Sequence, residues 1–271
     1  MLLAIDVGNT HVKFGVHDRS RLVNSWRAST DRERTSDEWA IHLDRFLALG
    51  KLRLEQMSGC IISSVVPTIT DSLQYMTQKY IGVAPLIVSA DITLGIPIAY
   101  PRPSEIGADR LVNSVAASAE YGAPVIVIDF GTATTFDIVN AEGAYIGGII
   151  APGLETALDA LSQRAAKLFN VDLEFPPNVI GQSTRHAMQS GLMWGYTSLI
   201  EGLAARVQEQ FGQSCPIIAT GGLAERLAPK TNIFAAVDHD ITVKGLRLIW
   251  ERNQKKQERK TWQVARGEWA D

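Results

Sequence analysis

Residues 5–16 read IDVGNTHVKFGV, and residues 128–139 read IDFGTATTFDIV. Laid over each other without a gap, the two stretches match Ile5 with Ile128, Asp6 with Asp129, Gly8 with Gly131 and Val16 with Val139. In each, an apolar run ends in Asp, one residue passes, and Gly opens a turn. Glycine lets backbone come close to a bound group, and the exposed amides of such a turn form an anion-binding concavity. One Asp-x-Gly alone reads as turn chemistry, with Asp as the turn former. Two in matching contexts point to a phosphate site.

The surroundings of the two stretches also match. Leu2–Val7, Val12–His17 and Leu22–Arg27 are short apolar runs separated by turn residues, which predicts an antiparallel meander. Ser36–Leu49 carries Trp39, Leu43, Phe46 and Leu47 at helical spacing. Cys60–Val66 then reads as a buried strand, Asp71–Tyr80 as a helix and Pro85–Ser89 as a short strand. The pattern restarts with strands at Val125–Phe130, Thr134–Asn140 and Ala144–Ile150. Helices follow at Gly153–Leu168 and His186–Gln210, a strand at Ile217–Thr220 and a last helix at Val243–Arg252. A helix beginning around Asp109 leads into a boundary near 117–124. The expectation is a lobe at 1–117, a second at 118–252, and a polar, mobile tail at 253–271.

The bulk composition excludes several classes. With 46% hydrophobic and 20% charged residues the chain is globular and not disordered. A net charge of −3 offers no basic face for nucleic acid. Cys60 and Cys215 stand far apart in apolar runs, which speaks for a reducing, cytoplasmic compartment and against a disulfide framework. No apolar run reaches the ~20 residues of a membrane helix. The histidines form no zinc-binding pair.

Asn9, Thr10, Thr132, Thr134 and Thr135 can donate to phosphate oxygens, and Lys13 can offer a positive charge from the next strand. Asp6 and Asp129 could hold a metal ion that the phosphates share, Mg²⁺ being commonly bound that way. Gly107-Ala108-Asp109-Arg110 follows a Pro-rich stretch containing Tyr100. Asp109 reads equally as a helix cap or as a site carboxylate, and Val112 stands where a capping box would place Glu or Gln. Gly147-Gly148-Ile149-Ile150-Ala151-Pro152-Gly153 and Thr220-Gly221-Gly222 put flexible backbone at helix starts. Glycines 191, 195 and 202 in the long helix suggest close helix packing or a subunit interface. There is no GxGxxG, and Gly50-Lys51 is followed by Leu52, so neither a dinucleotide fingerprint nor a Walker A loop is present.

The motifs Asp6-x-Gly8-Asn9-Thr10-x-x-Lys13, Gly107-Ala108-Asp109-Arg110, Asp129-Phe130-Gly131-Thr132-Ala133-Thr134-Thr135 and Gly147-Gly148-x-Ile150-x-Pro152-Gly153 occur in that order. Together they resemble the type III pantothenate kinases of the actin-like/sugar-kinase/Hsp70 ATPase superfamily, over about Met1 to Arg252. The resemblance implies two duplicated ribonuclease H-like (actin-like ATPase) α/β domains, each a mixed five-stranded sheet with helices, and an active site in the cleft between them. It implies ATP-dependent phosphorylation of pantothenate to 4′-phosphopantothenate, the first step toward coenzyme A, by a homodimer. On the matching positions, ATP meets Asp6, Val7, Gly8, Asn9, Thr10, His11, Val12, Lys13 and Thr132. Asp109 is the catalytic base, and pantothenate meets Tyr100, Gly107, Ala108, Asp109, Arg110 and Thr184. Asp129 holds a monovalent cation, K⁺ or NH₄⁺, while Mg²⁺ accompanies ATP.

Two other functions compete. Another small-molecule kinase of the superfamily would not need the Gly107–Arg110 motif after Tyr100. A non-catalytic accessory or regulatory protein of the same fold would be free to lose Asp6, Asp109 or Asp129, and all three are intact.

Overall fold

The computed structural model describes residues 1–164 and 168–265. The chain runs through β1 (Leu2–Val7), β2 (His11–Asp18), β3 (Arg21–Ser29), α1 (Ser36–Leu49), β4 (Gly59–Ser64), α2 (Pro67–Met76), β5 (Leu86–Ile87) and α3 (Ala108–Tyr121). It continues with β6 (Val125–Phe130), β7 (Ala133–Val139), β8 (Tyr145–Pro152), α4 (Leu154–Arg164), α5 (Thr184–Phe211), β9 (Ile217–Gly221), α6 (Ala224–Leu227), β10 (Ala236–Val237) and α7 (Ile241–Ala265).

A strand that is apolar on both faces belongs at the centre of a sheet. Every residue of β1 except Asp6 is buried, and every residue of β6 except Asp129. β1 lies between β2, antiparallel, and β4, parallel, in the order β3-β2-β1-β4-β5. β6 lies between β7, antiparallel, and β9, parallel, in the order β10-β9-β6-β7-β8. Exchanging β1–β5 for β6–β10 turns one order into the other, so the two sheets have the same topology.

The helices follow local chemistry. Thr35 and Glu38 form a capping box that starts α1. From there Trp39, Leu43 and Leu47 recur on the buried face. Pro67 sits in the first turn of α2, where its missing N–H costs nothing. α2 continues as a π turn at Thr77–Ile81, so this helical stretch begins four residues before Asp71, the start that periodicity suggests. Met188, Leu192 and Tyr196 of α5 face the second core, and Leu199 and Leu203 pack at its margin. α4 is described through Arg164; Leu154 and Leu158 are buried on it and Leu161 is exposed. The remainder of that expected helix includes 165–167, outside the described residues. β10 has two residues and no periodicity that sequence alone could reveal.

The chain divides into two compact units. One is Met1–Ala116 together with the chain from Ile241 on, and the other is Ala117–Asp240. Contiguous lobes at 1–117 and 118–252 would have left α7 in the second. Instead α7 belongs to the first unit, where it packs closely at three glycines, one of its own and two on the sheet. A Cβ on Gly15 of β2 would lie 2.9 Å from the Val243 side chain, and one on Gly59 of β4 would lie 2.4 Å from Trp250. On Gly245 it would lie 2.3 Å from the Val112 carbonyl of α3. The Thr242 hydroxyl donates to Asn113 Oδ1 at 2.8 Å, in the core. The helix extends past Arg252 to Ala265, into the stretch expected as a mobile tail, and 266–271 lie outside the described residues.

Candidate functional site

Each Asp-x-Gly turn sits at the C-terminal end of a central strand. In the first unit the Gly8 N–H donates to the His11 carbonyl at 3.0 Å and closes the turn. Asn9, Thr10 and His11 are exposed on it, while the Val7 and Val12 side chains are in the core, so those two can reach a nucleotide only through backbone. Lys13 is the direct partner of Asp6 across β1 and β2, and Ser63 its partner across β1 and β4. Directly opposed residues project from the same face, which places an ammonium group beside the first carboxylate.

In the second unit the Gly131 N–H donates to the Ala133 carbonyl at 3.1 Å, and Gly131 and Thr132 are exposed. The partners of Asp129 are Thr135 across β6 and β7 and Thr220 across β6 and β9. This register corrects the gapless overlay. Ile5 pairs with Phe14, and Ile128 pairs with Phe136. The second turn is therefore one residue shorter. Phe14 corresponds to Phe136, Lys13 to Thr135, and Val16 to Ile138 and not to Val139. Both phenylalanines are fully buried, which the gapless overlay hides by setting Phe14 against Asp137.

Two glycines make room around the second turn. A Cβ on Gly153 would fall 2.3 Å from the Gly131 carbonyl, and one on Gly221 would fall 2.5 Å from the Phe130 carbonyl and 2.7 Å from Asp129 Oδ1. Gly221 also has φ of 91°, a conformation that L residues rarely adopt. Asp129 Oδ1 and a backbone carbonyl thus converge over a bare Cα. Tyr196 is legible in the sequence only as core, yet its hydroxyl joins the Thr134 hydroxyl to the Pro152 carbonyl and so ties α5 to this turn.

Asp109 stands in the first turn of α3. Its Oδ1 accepts the Arg110 N–H at 2.9 Å. Burial pushes the carboxyl above the ordinary aspartate range, and the Arg110 N–H and guanidinium partly oppose that rise. Gly107 clears the space beside it, since a Cβ there would lie 2.6 Å from Asp109 Oδ1. The motif is therefore not a structural ion pair: what Arg110 gives Asp109 at hydrogen-bond distance is a backbone amide. Tyr100, half-buried, precedes this motif in the first unit, and Thr184 is exposed at the start of α5, behind the Ser183 cap, in the second. Two glycines of α5 are open: among the described residues nothing lies within 4 Å of a Cβ built on Gly191 or Gly195, whereas one on Gly202 would meet the Arg206 side chain at 3.2 Å. Among the described residues no group of three or more His, Cys, Asp or Glu side chains gathers as a metal site.

The chain matches the family described as type III pantothenate kinase over residues 2–206. It is 48% identical over 254 residues to the type III pantothenate kinase of Roseiflexus sp. (strain RS-1), covering 94% of this chain and 100% of that one. A Campylobacter jejuni structure described as a Baf family transcriptional activator superposes with a TM-score of 0.61 at 19% identity, over 93% of this chain and 99% of the other. A Sinorhizobium meliloti structure described as a 2-dehydro-3-deoxygalactonokinase does so with a TM-score of 0.55 at 13% identity, over 93% and 96%. These likenesses and the paired sheets identify the duplicated actin-like ATPase fold.

Proposed function

Since the chain belongs to the type III pantothenate kinase family and phosphorylates pantothenate with ATP, we propose a division of labour among its three aspartates. Asp109 is the base, Asp6 with Lys13 serves the nucleotide phosphates, and Asp129 holds a cation. The observation that carries the assignment is the environment of Asp109, a carboxyl raised by burial at a helix start inside Gly107-Ala108-Asp109-Arg110. A base works best with a pKa drawn toward the working pH.

In this reading the exposed residues Asn9, Thr10 and His11, with Lys13, receive the phosphates of Mg²⁺-ATP, and Thr132 adds a contact from the second turn. Tyr100, Gly107, Ala108, Arg110 and Thr184 receive pantothenate. Asp109 accepts a hydrogen bond from the pantoyl hydroxyl and orients it toward the γ-phosphorus. A bond forms between that oxygen and phosphorus as the bond to the β–γ bridging oxygen breaks and ADP departs. The transition state is loose, so the hydroxyl proton reaches Asp109 late, and positioning and charge neutralisation carry most of the rate.

The residues around Asp129 fit a hard cation. The donors at hand are a carboxylate, the paired Thr135 and Thr220 and a carbonyl over Gly221, all oxygen. K⁺ or NH₄⁺ bound there supplies positive charge at the second turn. The open glycines of α5, at 191 and 195, support a homodimer with a two-fold contact on that helix. Cys60 and Cys215 are free thiols, which supports a cytoplasmic setting, and no helix among the described residues is long and apolar enough to cross a membrane.

The test is a coupled assay of ADP release with purified protein, ATP and a small panel of acceptors, in K⁺, NH₄⁺ or Na⁺. Turnover of pantothenate that needs K⁺ or NH₄⁺ is expected. Absence of pantothenate turnover with either cation would sink the kinase reading for this chain.

A further inference from the structure

After each three-stranded meander the chain returns a threonine to the turn that began it. In the first unit Thr30, one residue past β3, donates its hydroxyl to the Gly8 carbonyl at 2.7 Å and its N–H to the Thr10 carbonyl at 2.9 Å. In the second unit Thr156, in the first turn of α4, donates its hydroxyl to the Thr132 carbonyl at 2.7 Å. The Gly153 N–H donates to the same carbonyl at 3.0 Å. The two threonines lie 22 and 24 residues beyond the carbonyls they hold. By the strand register Thr10 matches Thr132 and Thr30 matches Gly153, so the backbone bond to the turn recurs in both units, while each unit adds a threonine hydroxyl on a carbonyl of its own turn.

A trans peptide is planar, with its C=O and N–H pointing opposite ways. Holding the Gly8 carbonyl on one side aims the Asn9 N–H to the other, where Asn9 is exposed. Holding Thr132 from two donors fixes the plane of the Thr132–Ala133 peptide in the same manner. A turn that binds an anion through its amides must keep them converging, and glycine in the turn works against that by adding freedom. The threonine hydroxyls remove it.

We propose that Thr30 and Thr156 are paired positioning residues, one per unit, which orient the amides of the two phosphate-binding turns before the nucleotide arrives. Neither touches ATP. The proposal rests on the reading of those turns as the ATP site and adds the residues that preorganise it. Preorganisation raises affinity by removing the ordering cost of binding.

Thr30→Val and Thr156→Val keep the shape and remove the hydroxyl, and Thr30→Ser and Thr156→Ser keep the hydroxyl. The full chain is measured by calorimetric titration with Mg²⁺-ATP, by KM for ATP and for pantothenate, and by melting temperature. Each Val variant is expected to weaken ATP binding by about threefold to tenfold, the worth of one net hydrogen bond. The KM for pantothenate should stay within about twofold, and each Ser variant should recover most of the loss. A purely structural role would instead lower the melting temperature and shift both substrates alike. Val variants that are folded and bind ATP as the wild type does overturn the proposal, and so do Ser variants no better than Val. If Thr30→Val does not fold, the exposed Thr156 decides by the same criteria. Wild-type protein that binds ATP but leaves pantothenate unphosphorylated sinks the kinase reading alone, because the ATP affinities of the variants still decide the role of the threonines.

Discussion

In Asp109→Asn the side chain keeps its shape and its acceptor for the Arg110 N–H, 2.9 Å away, and loses the ability to take a proton. A positioned base contributes about 10²–10⁴-fold, equal to roughly 2.7–5.5 kcal/mol of barrier, so kcat should fall by that factor. KM for pantothenate should move little, because the amide oxygen still accepts from the substrate hydroxyl. Stability should move the other way. Burial raises the folded-state pKa of Asp109 above its unfolded value, near 3.9. A group raised in this way stabilises the fold fully below its unfolded pKa, and that contribution is lost as pH rises through the folded pKa. At neutral pH the wild type therefore carries a buried charge that Asn lacks. The variant should melt at the same temperature or higher at pH 7, with the difference shrinking in acid. The kcat/KM profile for pantothenate should show an acid limb, placed above the ordinary carboxylate range, in the wild type only. The coupled assay across pH and a thermal melt suffice. A kcat within threefold of wild type would remove Asp109 as base, and a melt lowered by many degrees would make it a structural residue.

Asp129→Asn should weaken the response to K⁺ at least tenfold, read from a K⁺ titration of the coupled assay; an unchanged titration would place the cation elsewhere. Thr135→Lys puts an ammonium group opposite Asp129, as Lys13 stands opposite Asp6, and should make turnover independent of K⁺; full K⁺ dependence in that variant would refute the carried register. Gly245→Ala forces a methyl against the Val112 carbonyl, which is backbone and cannot swing away. Overpacking of this kind costs about 1–3 kcal/mol, so a thermal melt should drop by several degrees, and an unchanged melt would deny the close approach of α7 to α3.

Much of this molecule was legible because local signals and tertiary roles coincide. β1 and β6 are apolar except for an Asp one residue before the strand end, so their central place and the turn after them can be read from a few residues. What stayed hidden depends on contacts distant in the chain. Nothing in Ile241–Arg252 announces that the helix belongs to the first unit, because the cause lies in Gly15, Gly59 and Val112, more than a hundred residues earlier. Thr30, Thr156 and Tyr196 were equally silent. A threonine at a strand end and a tyrosine on a buried helical stripe look like loop and core until their hydroxyls are seen on Gly8, Thr132 and Pro152. The one-residue offset between the turns was invisible for another reason: Val16 and Val139 match by chance and pull the overlay into the wrong register.

That offset bears on function. With the turns equal in length, Lys13 would correspond to Phe136, and the two carboxylates would differ merely by a lost charge. With the second turn one residue shorter, the position facing the carboxylate stays polar in both units: Lys13 at Asp6, Thr135 at Asp129. The flanking parallel strands also agree, with Ser63 at one and Thr220 at the other. One Asp is thus opposed by an amine and a hydroxyl, and its counterpart by two hydroxyls. An aspartate paired with lysine has its counter-charge built in and leaves the exposed amides and side chains of its turn to the phosphates. An aspartate paired with hydroxyls has an oxygen-rich setting that a free cation can complete. On the proposed division of labour, the residue facing each carboxylate, Lys13 in one unit and Thr135 in the other, is what separates a phosphate turn from a cation turn.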